Sequence, residues 1–138
     1  MELFNCINVK RVLSPASVAD NTAQVGQIID HQNTHAAVYL IATGSLGDAG
    51  AEFTTLLEES DASDMTGATA VADADLLGTE VLASFIQSDD DKCFKLGYKG
   101  VKRYTRLTIT PANNATAALL AAVCVVCPNL MPTANPPA

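Results

Sequence analysis

The sequence predicts an all-β fold, an antiparallel β-sandwich of jelly-roll-like form with about seven or eight strands. Three observations carry this. Between Lys102 and Pro111 the chain alternates strictly: Thr105, Leu107 and Ile109 fall on one face, and Tyr104, Arg106 and Thr108 on the other, the period of two that a half-buried strand requires. Turn signals recur at short intervals, at Asp20-Asn21-Thr22, Asp89-Asp90-Asp91 and Asn113-Asn114. The longest apolar run, Ala117 to Cys127, spans eleven residues, too short to cross a membrane as a helix. It suits a strand buried on both faces.

In chain order, residues 1–8 read as an arm or short first strand, and Val9 to Leu13 as a weak strand closed by Ser14-Pro15. Val25 to Asp30 is strand-like, with Gly26 placed for a bulge. A polar connection, His31 to His35, leads to a strong strand, Ala36 to Thr43. A glycine-rich loop follows from Gly44 to Gly50. Glu52 to Glu58 alternates Phe53, Thr55 and Leu57 against Glu52, Thr54, Leu56 and Glu58. Residues 59–78 form an acidic loop with a helical turn ended by Gly78. Val81 to Gln87 is a strand, and Cys93 to Lys99 alternates Phe94, Leu96 and Tyr98 against Lys95 and Lys99. Proline cannot donate to a ladder, so Pro111 should end the strand containing Leu107. These elements divide the chain into an N-terminal arm or first strand (1–22), a sandwich domain (23–127) and a Pro-rich extended tail (128–138).

With 138 residues the chain makes one domain. Aromatics are scarce and tryptophan is absent, so the core should be thin and built from small side chains. The net charge of −7 argues against nucleic acid, whose phosphates need lysine and arginine. Charge is also segregated. Every charged residue from Asp48 to Asp91 is acidic, whereas Lys92, Lys95, Lys99, Lys102, Arg103 and Arg106 follow with no acid among them. An acidic patch on one copy could meet a basic patch on the next and close a ring; an ordinary solvated surface is the plainer reading. Met1-Glu2-Leu3-Phe4 has neither a basic nor an apolar leader region, so synthesis in a reducing cytoplasm with free thiols is expected.

Chemistry-bearing patterns are few. Cys124-Val125-Val126-Cys127 has C-x-x-C spacing, but it ends an apolar strand instead of opening a helix, where a redox thiol would be activated. Cys6 and Cys93 are lone and distant, which leaves a zinc set incomplete. His31 and His35 are four apart, but strands flank them. Asp89-Asp90-Asp91 lacks the spacing of a calcium loop, and Asp61, Asp64, Asp73 and Asp75 carry a weaker version of the same possibility. Gly44 to Gly50 lacks the Lys-Ser/Thr of a phosphate loop. Tyr104 and Arg106 could form a sugar- or partner-binding platform, or an ordinary cross-strand pair. No catalytic residues, metal or cofactor are expected.

Several stretches together resemble a family of small tailed-bacteriophage and prophage virion proteins: Val25 to Asp30, Ile41 to Leu46, Ala72 to Glu80, and Gly97 to Pro111. The resemblance covers residues 23 to about 127. It implies a capsid-associated β-sandwich that decorates or cements the head shell. The implied partners are the major capsid protein and further copies of itself, as a homotrimer, with no nucleic acid or membrane. The implied location is the capsid surface. Contact residues expected on this reading are Lys95, Lys99, Lys102, Arg103, Tyr104, Arg106, Pro132 and Pro136. A tail or head–tail connector protein, or a carbohydrate-binding sandwich, is the alternative.

Overall fold

A computed structural model describes residues 2–129. Ten strands run in chain order: β1 (Asn8–Val18), β2 (Gln24–Asp30), β3 (Thr34–Leu46), β4 (Glu52–Ser60), β5 (Thr69–Ala70), β6 (Leu76–Leu77), β7 (Phe85–Ile86), β8 (Cys93–Tyr98), β9 (Tyr104–Ala112) and β10 (Ala118–Pro128). The first sheet has the order β1-β10-β3-β8-β6. The second has β2-β9-β4-β5, with β7 also on β4. All pairings are antiparallel. Successive long strands switch sheets, β1-β10-β3-β8 facing β2-β9-β4, which is the double Greek key of a jelly roll. The all-β sandwich expected from the sequence is therefore the fold.

The alternation seen in sequence is what builds the core. Thr105, Leu107 and Ile109 of β9 are completely buried, and Phe53, Thr55 and Leu57 of β4 face inward beside them. Tyr39 and Ile41 of β3 close over them from the first sheet, with Leu96 of β8 and Leu120, Ala122, Cys124 and Val126 of β10. Phe53, Phe85 and Phe94 stack in series, with ring centroids 4.9 and 5.5 Å apart. Alanines 37, 51, 83, 118 and 122 fill the remaining core positions, so the layer is as thin as the composition implies.

Gly26 is the bulge expected. The β2–β9 register shifts between Val25 and Ile28, and a Cβ at residue 26 would stand 2.6 Å from the Leu107 carbonyl oxygen and 2.8 Å from Val12 Cγ1. Only a residue without a Cβ lets β2 approach β9 and β1 that closely.

Elsewhere the structure departs from the sequence reading. β1 does not stop at Ser14-Pro15 but runs through to Val18. It is an edge strand, with register shifts on either side of Leu13, where proline is tolerated. Residues 8–18 are thus part of the sandwich, and residues 2–7 lead into it through a short 3-10 turn at Phe4–Cys6. Pro111 likewise does not end β9. β2 stops pairing opposite Ile109, so Pro111 has a neighbour only on β4, at Phe53. Gly44 to Leu46 belong to β3 and not to a loop.

Val81 to Gln87 is not a strand. Residues 79–84 coil into turns, with Ala83 N–H donating to the Thr79 carbonyl, and only Phe85–Ile86 pairs. The reason lies in the polar side chains there. Ser84 Oγ accepts from Thr55 N at 3.0 Å and Glu80 Oε1 from Leu57 N at 2.6 Å, so side chains take the ladder positions along β4. The helical turn before Gly78 is one 3-10 turn, Asp73–Asp75.

Candidate interaction surface

One end of the sandwich holds a buried polar chain. His31 follows β2 and turns its ring inward: Nε2 lies 2.6 Å from Thr105 Oγ1, which also bonds the Tyr39 hydroxyl. Tyr98 packs on the imidazole at 5.2 Å between ring centroids and donates its hydroxyl to Glu59 Oε2 at 2.7 Å. Lys10 reaches across from β1 to donate to the Asp30 carbonyl at 2.7 Å. Burial, helped by the Lys10 charge and opposed by Asp30, pushes the His31 pKa down to about 4. Burial pushes the Cys124 thiol up to about 12 and raises Tyr39 and Tyr98 as well. A histidine beside a hydroxyl is the outline of a base and nucleophile. Here Thr105 and Tyr39 are fully buried, so no substrate can reach that oxygen. The chain braces the fold.

The sequence candidates disperse. Cys124 faces the core and Cys127 the outer side, because residues three apart on a strand point to opposite faces. All four cysteines are free. His35 lies on the surface against Asn129 Oδ1 at 3.1 Å, away from the inward-turned His31. Asp89 accepts from Lys92 Nζ and Ile86 N, and Asp90 from Leu46 N. These carboxylates thus hold the loop to itself. Among the described residues no three His, Cys, Asp or Glu side chains are grouped to hold a metal, and no helix is long and apolar enough to cross a membrane.

The basic block does not form one patch. Lys92 pairs with Asp89, Lys102 with Asp61, Arg103 with Asp30 and Arg106 with Glu58. Three carboxylates of the acidic segment, Glu58, Asp61 and Asp89, thus meet the basic segment inside one chain. Lys95 lies on the outer face of the first sheet opposite Leu40, and Lys99 is exposed just past β8. Tyr104 and Arg106 make no open platform. The Arg103 guanidinium sits over the Tyr104 ring at 5.0 Å, and Arg106 makes a cross-strand pair with Glu58 at 2.9 Å. Arg106→Ala should cost about 0.5–1 kcal/mol, because the pair is partly open to solvent; urea unfolding at low and high salt would check it, the loss shrinking in high salt. Pro132 and Pro136 lie outside the described residues.

The surface the sequence reading missed is the outer face of the first sheet. On β10 the outward positions are Leu119, Ala121, Val123, Val125 and Cys127, and on β3 Ala36, Val38, Leu40 and Ala42. None is charged or polar apart from the one thiol. Leu119 is 45% exposed and Leu40 37%. Leu77 of β6 extends the face by lying across Gly97, where a Cβ would meet its own at 2.8 Å. Two hollows of about 710 and 420 Å³ open on this side. One is bounded by Ile7, Val38, Leu77, Leu82 and Val125, the other by Ala16, Ala42, Leu119 and Ala121. Two cations flank the Val123–Leu40 pair in one row across the sheet, Arg11 on β1 and Lys95 on β8, and Lys95 also lines the larger hollow. The apolar run at 117–127 is thus buried on one face only. Among the described residues its other face is covered only at one end, where the Cys127 thiol donates to the Cys6 carbonyl at 3.2 Å and Ile7 borders the larger hollow.

No family model and no curated protein matches the sequence. Among solved structures, a Bacillus endospore appendage protein of disulfide-linked pili is similar over 88% of each chain, at 14% identity and a TM-score of 0.46. The xylan-binding module CBM15 is similar over 92% of this chain and 94% of its own, at 12% identity and a TM-score of 0.44. The N-terminal modules of a Clostridium thermocellum xylanase, solved with xylohexaose, are similar over 90% of this chain and 26% of theirs, at 12% identity and a TM-score of 0.46. Likeness at this level carries no ligand or assembly across.

Proposed function

We propose that this chain works by contact and not by catalysis, as a structural virion protein of a tailed phage. In this reading it decorates or cements the capsid shell by packing against the major capsid protein and against other copies of itself. The observation that carries the reading is the uncovered apolar face of the first sheet. Contiguous apolar surface of that extent marks a protein interface, and a structural subunit needs a rigid scaffold with such a face more than it needs a cleft. The resemblance of residues 23–127 supplies the phage context. The test is co-sedimentation of purified protein with expanded capsids of its own virus. Binding is expected, with greater heat resistance of the shells, and Val123→Lys should abolish both. Protein that never sediments with shells would end this reading, and a copy number limited to one ring per particle would move it to the tail or connector.

A carbohydrate-binding module is the second reading. The xylan-binding sandwiches named above fit it better than they fit the virion reading, although at TM-scores below 0.5 they bear on architecture alone. The residues it would use are Tyr104 and Arg106, and a sugar would have to displace Arg103 from the Tyr104 ring. Retarded migration in a xylan-containing gel would favour it, and unchanged migration together with an empty glycan array would remove it.

A further inference from the structure

We infer that the occupant of the outer face of the first sheet is the same face of a second copy, so that two sandwiches pack back to back as a four-layer dimer. This rests on the contact reading above but is narrower, since it names the partner.

The face has the composition of an interior. Its outward residues on β3 and β10 are alanine, valine, leucine and cysteine. The inward residues of the same strands, among them Ala37, Ile41, Leu120, Ala122, Cys124 and Val126, already pack against a sheet. Sheets packed face to face sit about 10 Å apart with interdigitating side chains, and small and branched residues suit that spacing. The extent also fits. Five strands about 4.8 Å apart, with an eleven-residue β10 rising about 3.3 Å per residue, offer roughly 600–700 Å² per copy. A standard interface takes about 800 Å² per partner, and Leu82, 71% exposed at the larger hollow, adds to the face. The centre of the face is apolar, with one cation on each side of the Val123–Leu40 pair, Arg11 and Lys95, whose long stems can carry their charges out toward water. A two-fold contact uses one patch twice and needs no second complementary surface.

The experiment is sedimentation equilibrium of the full chain, with circular dichroism to confirm folding. At about 10 µM the protein should run at twice the mass of the chain. Val123→Lys and Leu40→Lys, each placing a charge at the centre of the face, should stay folded and weaken association by about 100-fold or more. Thr54→Lys, exposed on β4 of the other sheet, should leave the dimer unchanged. A full chain that is monomeric at that concentration overturns the inference. So does a dimer that survives both lysine substitutions. A monomer that still sediments with capsids, and loses that binding on Val123→Lys, overturns the inference but leaves the contact reading standing, with the shell protein as the occupant. A monomer whose Cys93 thiol, at the edge of the larger hollow, labels slowly would point to residues 130–138 as the cover and also overturns it.

Discussion

Thr105→Val should lower the unfolding free energy by about 2–4 kcal/mol, read as a shift of the urea midpoint at unchanged slope. Valine has nearly the volume and branching of threonine, so little cavity forms and the loss isolates the hydroxyl. That oxygen is the shared partner of His31 Nε2 and the Tyr39 hydroxyl. Tyr39 and Thr105 are fully buried and His31 is largely so. Without it the Tyr39 hydroxyl keeps only the weak Cys124 thiol as a side-chain partner and His31 Nε2 loses its hydroxyl, each at about 1–3 kcal/mol. Tyr39→Phe in the Thr105→Val background should cost much less than Tyr39→Phe alone, because the partner it would orphan is already gone. A loss below about 1 kcal/mol for Thr105→Val would show that water replaces the hydroxyl and that the chain of bonds is not a brace.

The second large effect is with pH. His31 has an ordinary value of 6.5, and burial lowers it to about 4 in the fold. Between those values the unfolded chain binds the extra proton and the folded one does not. Stability is therefore full above pH 6.5, falls as the pH drops toward 4, and changes no further on this account below it. The loss should be about 2 kcal/mol, after allowing for the part of the ring that remains open to water. Asp30, Asp64 and Asp89 are held below the usual carboxylate range, chiefly by the Arg103 side chain, the Thr66 backbone N–H and the Lys92 side chain respectively. Their contributions are lost only at lower pH, as each is protonated. Urea midpoints measured from pH 7.5 to 4 should fall for the native chain and stay level for His31→Gln. Parallel profiles would exclude His31 as the group responsible.

Both expectations concern residues that sequence reasoning placed in a polar loop or on a strand face without connecting them. Thr105 was legible as an inward position, because alternation along one strand is a local property of extended backbone. The same holds for Phe53, Leu57, Leu96, Leu107 and Ile109, all buried where the period of two put them. His31 was not legible as the partner of Thr105, since 74 residues separate them. The C-x-x-C spacing was discounted because it ends an apolar strand, and only the strand geometry shows that its thiols point to opposite faces. The basic block, for which an ordinary solvated surface was the plainer reading and a single patch the sharper one, is scattered over both sheets and a turn, because β8 and β9 lie in different sheets.

The apolar run at 117–127 divides the two kinds of knowledge most sharply. Its sequence alone establishes that both faces of that strand avoid water, since side-chain chemistry and a period of two are properties of the segment itself. Which face the sandwich covers, and which it turns outward, was decided only when β10 took its place between β1 and β3. The strands flanking a given strand are chosen by pairings across the whole chain, and residues at one position cannot encode what will be laid over them.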